Sequence, residues 1–312
     1  MIKSLSIVLP CYNEQEVIKD TYFELKTLIN RWLKDGLINK FQIVIVNNGS
    51  SDKTLEKSLL LKKTDPNIKI VDLRNNYGYQ SSISAGLFNA DYEMIVSIDA
   101  DLQDDPTKIE EMIKIHYQGF DMVLGVRNDR STDGFFKRNT AAAFYKFLIY
   151  LGVKVEFNHG DFRLLSMELV KELKSYGETN RFLRAIVMNL DNNYSVVEYK
   201  RRKRKAGKTK FDIKSLLYLS LDAITSFSPK PIRLITISGI LTFVISIITI
   251  TSIIVNYFLF GFNIKGWASL VSLILFFGGF QLIAIGIIGE YLSKTYLETK
   301  SRPLYHIRKV YN

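Results

Sequence analysis

The sequence predicts an α/β domain with a mainly parallel sheet, followed by an amphipathic helix and a two-helix hairpin long enough to span a membrane. Two observations predict it. Up to Pro229, short apolar, β-branched runs alternate with helical stretches, and beyond it lie two long uncharged segments. With 312 residues, 47% of them hydrophobic, the chain can bury one sizeable core and still supply the hairpin, which excludes a short peptide module.

The strand candidates are the runs Leu5 to Leu9, Gln42 to Val46, Ile68 to Asp72, Met94 to Ile98 and Met122 to Val126. Alternation with helices argues for parallel strands. In such sheets ligands collect at the carboxyl ends of the strands. The segments from Leu234 to Phe260 and from Trp267 to Gly289 carry no charged residue, and each reaches the roughly 20 residues that a membrane span needs. Basic residues crowd both outer flanks: Lys200 through Lys210, Lys230 and Arg233 before the hairpin, and Lys294, Lys300, Arg302, Arg308 and Lys309 after it. The positive-inside tendency then puts both termini on the cytosolic face. Between Ile213 and Phe227, Leu216, Leu217, Leu219, Leu221 and Ile224 recur in a partly helical period, which suits an interfacial helix or an ordinary core helix. The expected segments are a cytosolic domain over 1–212, the amphipathic helix over 213–230, the hairpin over 231–290 and a cytosolic tail over 291–312.

A formal net charge of +11 asks for a polyanionic neighbour: nucleic acid, anionic lipid or a phosphate-rich substrate. The densest basic run, Lys200 to Lys210, precedes a membrane span, so lipid and topology account for most of it and no nucleic-acid partner is expected. The single cysteine, Cys11, rules out an internal disulfide, and the first residues lack a secretory signal, so the bulk of the chain is expected to face the cytosol.

Polar clusters follow the strand candidates. After the first comes Pro10-Cys11-Tyr12-Asn13-Glu14, and after the second Asn47-Asn48-Gly49-Ser50-Ser51-Asp52-Lys53-Thr54, readable as ligand loops or as plain turns with Ser51 or Asp52 capping a helix. After the fourth comes Ser97-Ile98-Asp99-Ala100-Asp101-Leu102-Gln103-Asp104-Asp105-Pro106. Carboxylates so crowded repel one another unless a cation neutralises them, and Mg2+ or Mn2+ bridging to a diphosphate would do so; a solvated acidic loop is the alternative. In Asn158-His159-Gly160-Asp161-Phe162-Arg163-Leu164-Leu165 the acidic residue and the arginine suit either a site or a structural ion pair, and His159 has no assigned role.

Taken in order, PCYNE, NNGSSDKT, NNYGYQSSISAGL, DADLQDDP, GVRNDR, GDFRLL, NRFLR, RxxGKTKF and a terminal hairpin ending in GEYLSK resemble the polyprenyl-phosphate branch of the family 2 inverting glycosyltransferases, over nearly the whole chain. The resemblance implies a GT-A nucleotide-sugar-binding domain. It implies that Pro10, Tyr12, Glu14, Asn47 and Asn48 hold the nucleobase and ribose, with Asp99 and Ala100 also on the nucleotide sugar. By the same carry-over Asp99, Asp101 and Gln103 bind Mg2+ or Mn2+ or the donor phosphates, Arg204 and Lys210 contact the diphosphate, Arg127, Arg138 and Arg163 surround the acceptor phosphate, and Asp161 is the catalytic carboxylate beside it. The implied reaction moves a hexose from a nucleotide diphosphate sugar to polyprenyl (undecaprenyl) phosphate at the cytosolic face of the inner membrane, with UDP-glucose the first choice and UDP-N-acetylglucosamine or UDP-galactose the alternatives. Membrane lipid is then a partner, and assembly as a homo-oligomer is compatible with the sequence. The family usually has Asp-Asp-Gly-Ser where this chain has Asn47-Asn48-Gly49-Ser50; an asparagine accepts a hydrogen bond as aspartate does, but it also donates and carries no charge. A non-catalytic membrane scaffold built on a degenerate transferase domain is the reading of another class, and intact Asp99, Asp101, Gln103 and Asp161 count against it. A processive polysaccharide synthase would carry a Gln-x-x-Arg-Trp motif, which is absent.

Overall fold

The structure, a computed structural model, describes residues 2–128, 156, 158–178, 181–202, 230–260 and 266–312. It divides into two compact units. In the first, β1 (Leu5–Cys11), β2 (Phe41–Asn47), β3 (Ile68–Leu73), β4 (Met94–Ser97) and β5 (Met122–Arg127) form where the apolar runs predict them, joined by α1 (Ile18–Lys34), α2 (Thr54–Thr64), α3 (Tyr79–Phe88) and α4 (Ile109–Tyr117). Then follow β6 (His159–Ser166), α5 (Met167–Ser175), α6 (Leu183–Leu190) and β7 (Tyr194–Tyr199). After the two apolar helices of the second unit, α7 (Lys230–Phe260) and α8 (Trp267–Thr299), the chain returns as β8 (Ile307–Tyr311).

The eight strands make one sheet in the order β7-β5-β6-β4-β1-β2-β3-β8. β4, β1, β2 and β3 run parallel, as do β5 and β7, while β6 is antiparallel to both β4 and β5 and β8 is antiparallel to β3. The core is apolar: Leu5, Ile7 and Leu9 of β1, Ile43 and Ile45 of β2, and Val96 of β4 pack with Leu25, Ile29 and Trp32 of α1. Its consequence for function is geometric. β1 to β4 end on one edge, and because β6 runs antiparallel to β4, the first residues of β6 arrive at that same edge.

Two features were not expected. The tail beyond the hairpin is part of the sheet, with Val310 opposite Val71 and Lys309 opposite Asp72 on β3. α8 also continues beyond residue 290 to Thr299. In the second unit both helices are long and apolar enough to cross a membrane, and large apolar side chains such as Ile248, Phe258, Phe276 and Leu282 are exposed along them. The helix expected over 213–230 lies outside the described residues.

Candidate active site

At the carboxyl ends of β1 and β2 two loops brace each other. The Asn13 amide donates to Ser50 Oγ at 3.1 Å, the Glu14 amide to Thr54 Oγ1 at 2.8 Å and the Gln15 amide to Asp52 Oδ2 at 3.1 Å, while the Ser51 amide donates back to Asn13 Oδ1 at 2.9 Å. Asp52 also accepts from the Thr54 amide at 3.0 Å and the Thr54 hydroxyl at 2.6 Å, where α2 begins. Pro10, Tyr12 and Glu14 thus stand on a fixed edge. Cys11 between them is buried, and burial, followed by Glu14, Asp99 and Asp52, pushes its thiol up and removes it as a nucleophile.

Asn47 and Asn48 are buried, and their side chains are occupied within the fold. Asn47 faces Asp72 across β2 and β3 and donates Nδ2 to Asp72 Oδ1 at 2.7 Å. An aspartate at 47 would set two carboxyl groups face to face, so the amide is the matched group here. Arg308 of β8 reaches the same carboxylate, Nη1 to Asp72 Oδ2 at 3.5 Å. Asn48 accepts from the Tyr77 amide at 3.0 Å and donates to Asn76 Oδ1 and the Gly78 carbonyl, each at 3.1 Å, which pins the loop leading into α3.

Gly49 makes this loop feasible. Its φ is +65°, and a Cβ would lie 2.4 Å from the Asn75 carbonyl carbon. Gly49→Ala is expected to cost at least about 1–3 kcal/mol from the backbone conformation alone, with the clash in addition, read as a lower urea midpoint; an unchanged midpoint would refute the close approach.

Beyond β4 the acidic loop crowds its carboxylates. Asp99 accepts a hydrogen bond from the Tyr79 hydroxyl, Asp101 Oδ1 accepts from the Gln103 amide at 3.1 Å, and Asp104 Oδ1 accepts from the Tyr199 hydroxyl at 2.6 Å and from Arg127 Nη2 at 3.2 Å. Burial and then the charges of Asp104, Asp101 and Asp161 push Asp99 up to about 7, despite the Tyr79 hydrogen bond that favours its ionised form. Such a carboxylate is short of positive charge. Leu102 within the loop has φ +56°, a strained conformation for a non-glycine residue. The start of the basic run meets this loop: Arg201 binds the Gln103 side-chain oxygen, and Arg202 binds Glu24 and, at 2.6 Å, Asp105.

Beside it lies Asp161. Ser97 Oγ donates to the Asp161 carbonyl at 2.5 Å, which locks the head of β6 to the end of β4. The Asp161 carboxylate takes Arg163 Nη2 on Oδ1 at 2.5 Å and Arg184 Nη2 on Oδ2 at 2.9 Å. Burial alone would push this carboxyl up, but Arg184 and Arg163 outweigh it and hold it down at about 2. Asp161 is therefore ionised at every ordinary pH.

The structure brings Asp99, Asp101, Asp161, Arg127 and Arg163 to one sheet edge. Arg163 is 1% exposed and also donates to the Leu183 and Gly160 carbonyls, so it stands behind Asp161; Arg184 on α6 is the arginine of the pair that reaches solvent. Arg138, Arg204 and Lys210 lie outside the described residues. Sequence reasoning assigned no role to Tyr79 or Arg184. Both sit within runs that it singled out, but only the approach of α3 to the acidic loop and of α6 to β6 reveals which side chains of those runs meet Asp99 and Asp161.

A model of glycosyl transferase family 2 matches residues 6–174. The chain is 40% identical over 308 residues to an uncharacterized glycosyltransferase of Bacillus subtilis, covering 97% of this chain and 90% of that protein. It is 39% identical over 307 residues to a prophage bactoprenol glucosyl transferase homolog of Escherichia coli, covering 98% and 99%. Among solved structures, glucosyl-3-phosphoglycerate synthase of Mycobacterium tuberculosis, crystallised with Mn2+, uridine diphosphate and phosphoglyceric acid, superposes with a TM-score of 0.50 at 18% identity, over 72% of this chain and 76% of that one. The shared architecture is the GT-A fold.

Proposed function

The chain belongs to glycosyl transferase family 2, and from that membership and the charges of its site we propose that it moves glucose from UDP-glucose to polyprenyl phosphate, with inversion, on the cytosolic face of a membrane. The observation that carries this reading is the pair of charged groups at the site: the carboxylates of Asp99 and Asp101, and the guanidinium groups of Arg163 and Arg184 on Asp161, with Arg127 held by Asp104. The first suits a cation and the diphosphate it would carry; the second suits an anionic acceptor. Near-full-length similarity to a bactoprenol glucosyl transferase homolog supports the choice of acceptor and sugar.

Among the described residues no three acidic, histidine or cysteine side chains converge as a ready-made metal cage. Asp99 and Asp101 still fit a magnesium or manganese ion, because such ions are commonly held by one or two carboxylates and by substrate phosphate oxygens. The ion, when bound, neutralises the diphosphate leaving group. The Gln103 side-chain oxygen is engaged by Arg201, which leaves the ion to the two aspartates.

The acceptor is a phosphate monoester whose second pKa is about 6, so near neutral pH it is largely a dianion and needs little deprotonation. Asp161, held at about 2, is a weak base at such a pH. Its work in this reading is to orient Arg184, with Arg163 as the buried brace, so that the incoming oxyanion meets a fixed guanidinium. α7 and α8 cross the membrane, where a polyprenyl chain resides. The sheet supports a common side for their flanks: β8 follows α8 and pairs with β3, so both sides of the hairpin belong to one folded body.

The test is incubation of membranes holding the full chain with undecaprenyl phosphate, Mg2+ or Mn2+, and UDP-glucose, UDP-N-acetylglucosamine or UDP-galactose in parallel, followed by mass measurement of the lipid. One added hexose from UDP-glucose is the expected result. A product from another donor alone would replace the sugar, and an unmodified lipid with every donor would overturn the reading.

A further inference from the structure

His159 opens β6 and is 2% exposed, yet neither ring nitrogen has a hydrogen-bond partner among the described residues. Burying two polar atoms unpaired costs folding stability, so the imidazole nitrogens contribute nothing to holding the fold. Asp161, two residues further along β6, pairs with Arg163 beyond an irregularity in the β5–β6 register, and Phe162 packs edge-on against Tyr199. His159 is also opposite Val126 in the β5–β6 register, and the neighbouring Arg127 lies over Gly160, with Nη2 3.3 Å from where a Cβ would stand. The charged groups whose electrostatics act on the ring are Arg163 and Asp161 from β6, Arg184 from α6 and Arg127 from β5. Burial, and then these arginines, hold the ring neutral, well below the usual histidine range.

A neutral imidazole has one N–H to give, and the complement of an unused donor among three guanidinium groups is an oxyanion. We propose that His159 donates a ring N–H to an oxygen of the phosphate monoester acceptor, beside Arg184 and Arg127. The inference rests on the acceptor reading above and adds a residue to it: the arginines supply charge, and the imidazole supplies a directed hydrogen bond that fixes which oxygen is left to face the sugar. The donor diphosphate carries the same oxyanion chemistry, so the test must separate the two.

His159→Leu and His159→Gln in the full chain, purified in detergent, are compared with the wild type for melting temperature, affinity for UDP with Mn2+, and KM for undecaprenyl phosphate. His159→Leu is expected to melt no lower than the wild type, to bind UDP equally well and to raise the acceptor KM about ten- to a hundredfold, the effect of one hydrogen bond to a charged group. His159→Gln, which keeps an N–H, recovers part of it. An unmoved acceptor KM in His159→Leu overturns the proposal, as does weakened UDP binding with the acceptor KM intact. If His159→Leu melts far below the wild type, the ring is structural unless His159→Gln melts normally and has an acceptor KM above that of the wild type and below that of His159→Leu. A wild type that transfers no sugar to the lipid sinks the acceptor reading itself; transfer with an unmoved KM sinks only the role of His159.

Discussion

Asp161→Asn is expected to lower transfer to the lipid by on the order of a hundredfold or more, by the same factor near pH 5.5 as near pH 8. Asp161 is bound on both oxygens by Arg163 and Arg184 and is held at about 2, so it is ionised throughout that range and its loss cannot mimic the titration of a base. The substitution removes the charge that aligns Arg184 and leaves Arg163, 1% exposed, as a buried cation without its partner. Breaking a buried pair in this way costs about 3–5 kcal/mol of stability, so the melting temperature should fall with the rate. The sign in acid follows from the same pair. An unfolded aspartate titrates near 3.9 and the folded one near 2, so its stabilisation is complete above about pH 4 and is lost as pH falls toward 2. Asp161→Asn should therefore flatten the stability curve in that acid window. A variant that is nearly normal at pH 8 but crippled at pH 5.5 would show that proton removal matters and would sink the orienting role.

Asp99→Asn should have the larger effect on the rate, a loss on the order of a thousandfold together with loss of the response to Mn2+ or Mg2+. Its effect on stability runs the other way. Without metal, Asp99 titrates near 7 in the folded chain against about 3.9 unfolded, so its contribution is intact below about pH 4 and is lost as pH rises through 7. Above that pH the metal-free wild type carries an unwelcome charge among Asp104, Asp101 and Asp161, and Asp99→Asn should melt higher than it in the presence of a chelator. Adding Mn2+ should raise the wild-type melting temperature and leave the variant nearly unchanged. Full metal-dependent activity in Asp99→Asn would remove the metal from this loop.

Legibility in the sequence followed burial. β1 to β5 were readable because their apolar, β-branched runs are buried and bounded by polar loops, which a single chain displays without knowledge of neighbours. β6 was readable only as a motif. Its HGDFRLLS run holds a histidine, an aspartate and an arginine that would be prohibitive inside an isolated strand; it becomes a strand because Arg163 and Arg184 neutralise Asp161 there. β8, with two basic residues in IRKVY, forms on the edge of β3, where Arg308 reaches Asp72. Asn47 illustrates the same limit: its departure from the family pattern was visible, but Asp72 opposite it, which makes the amide the fitting group, was not.

By itself the sequence determined the alternating α/β order, the acidic loop after β4, the two apolar helices and the ordered motifs of a nucleotide-sugar transferase, since each is written in consecutive residues. Only the tertiary structure decided that Asp161 is doubly paired rather than a free base, that Arg163 is a brace while Arg184 faces outward, and that His159 is buried without a hydrogen-bond partner among the described residues. These depend on strands far apart in the chain meeting at one edge, and the charge a side chain bears there is set by burial and neighbours that no local pattern contains.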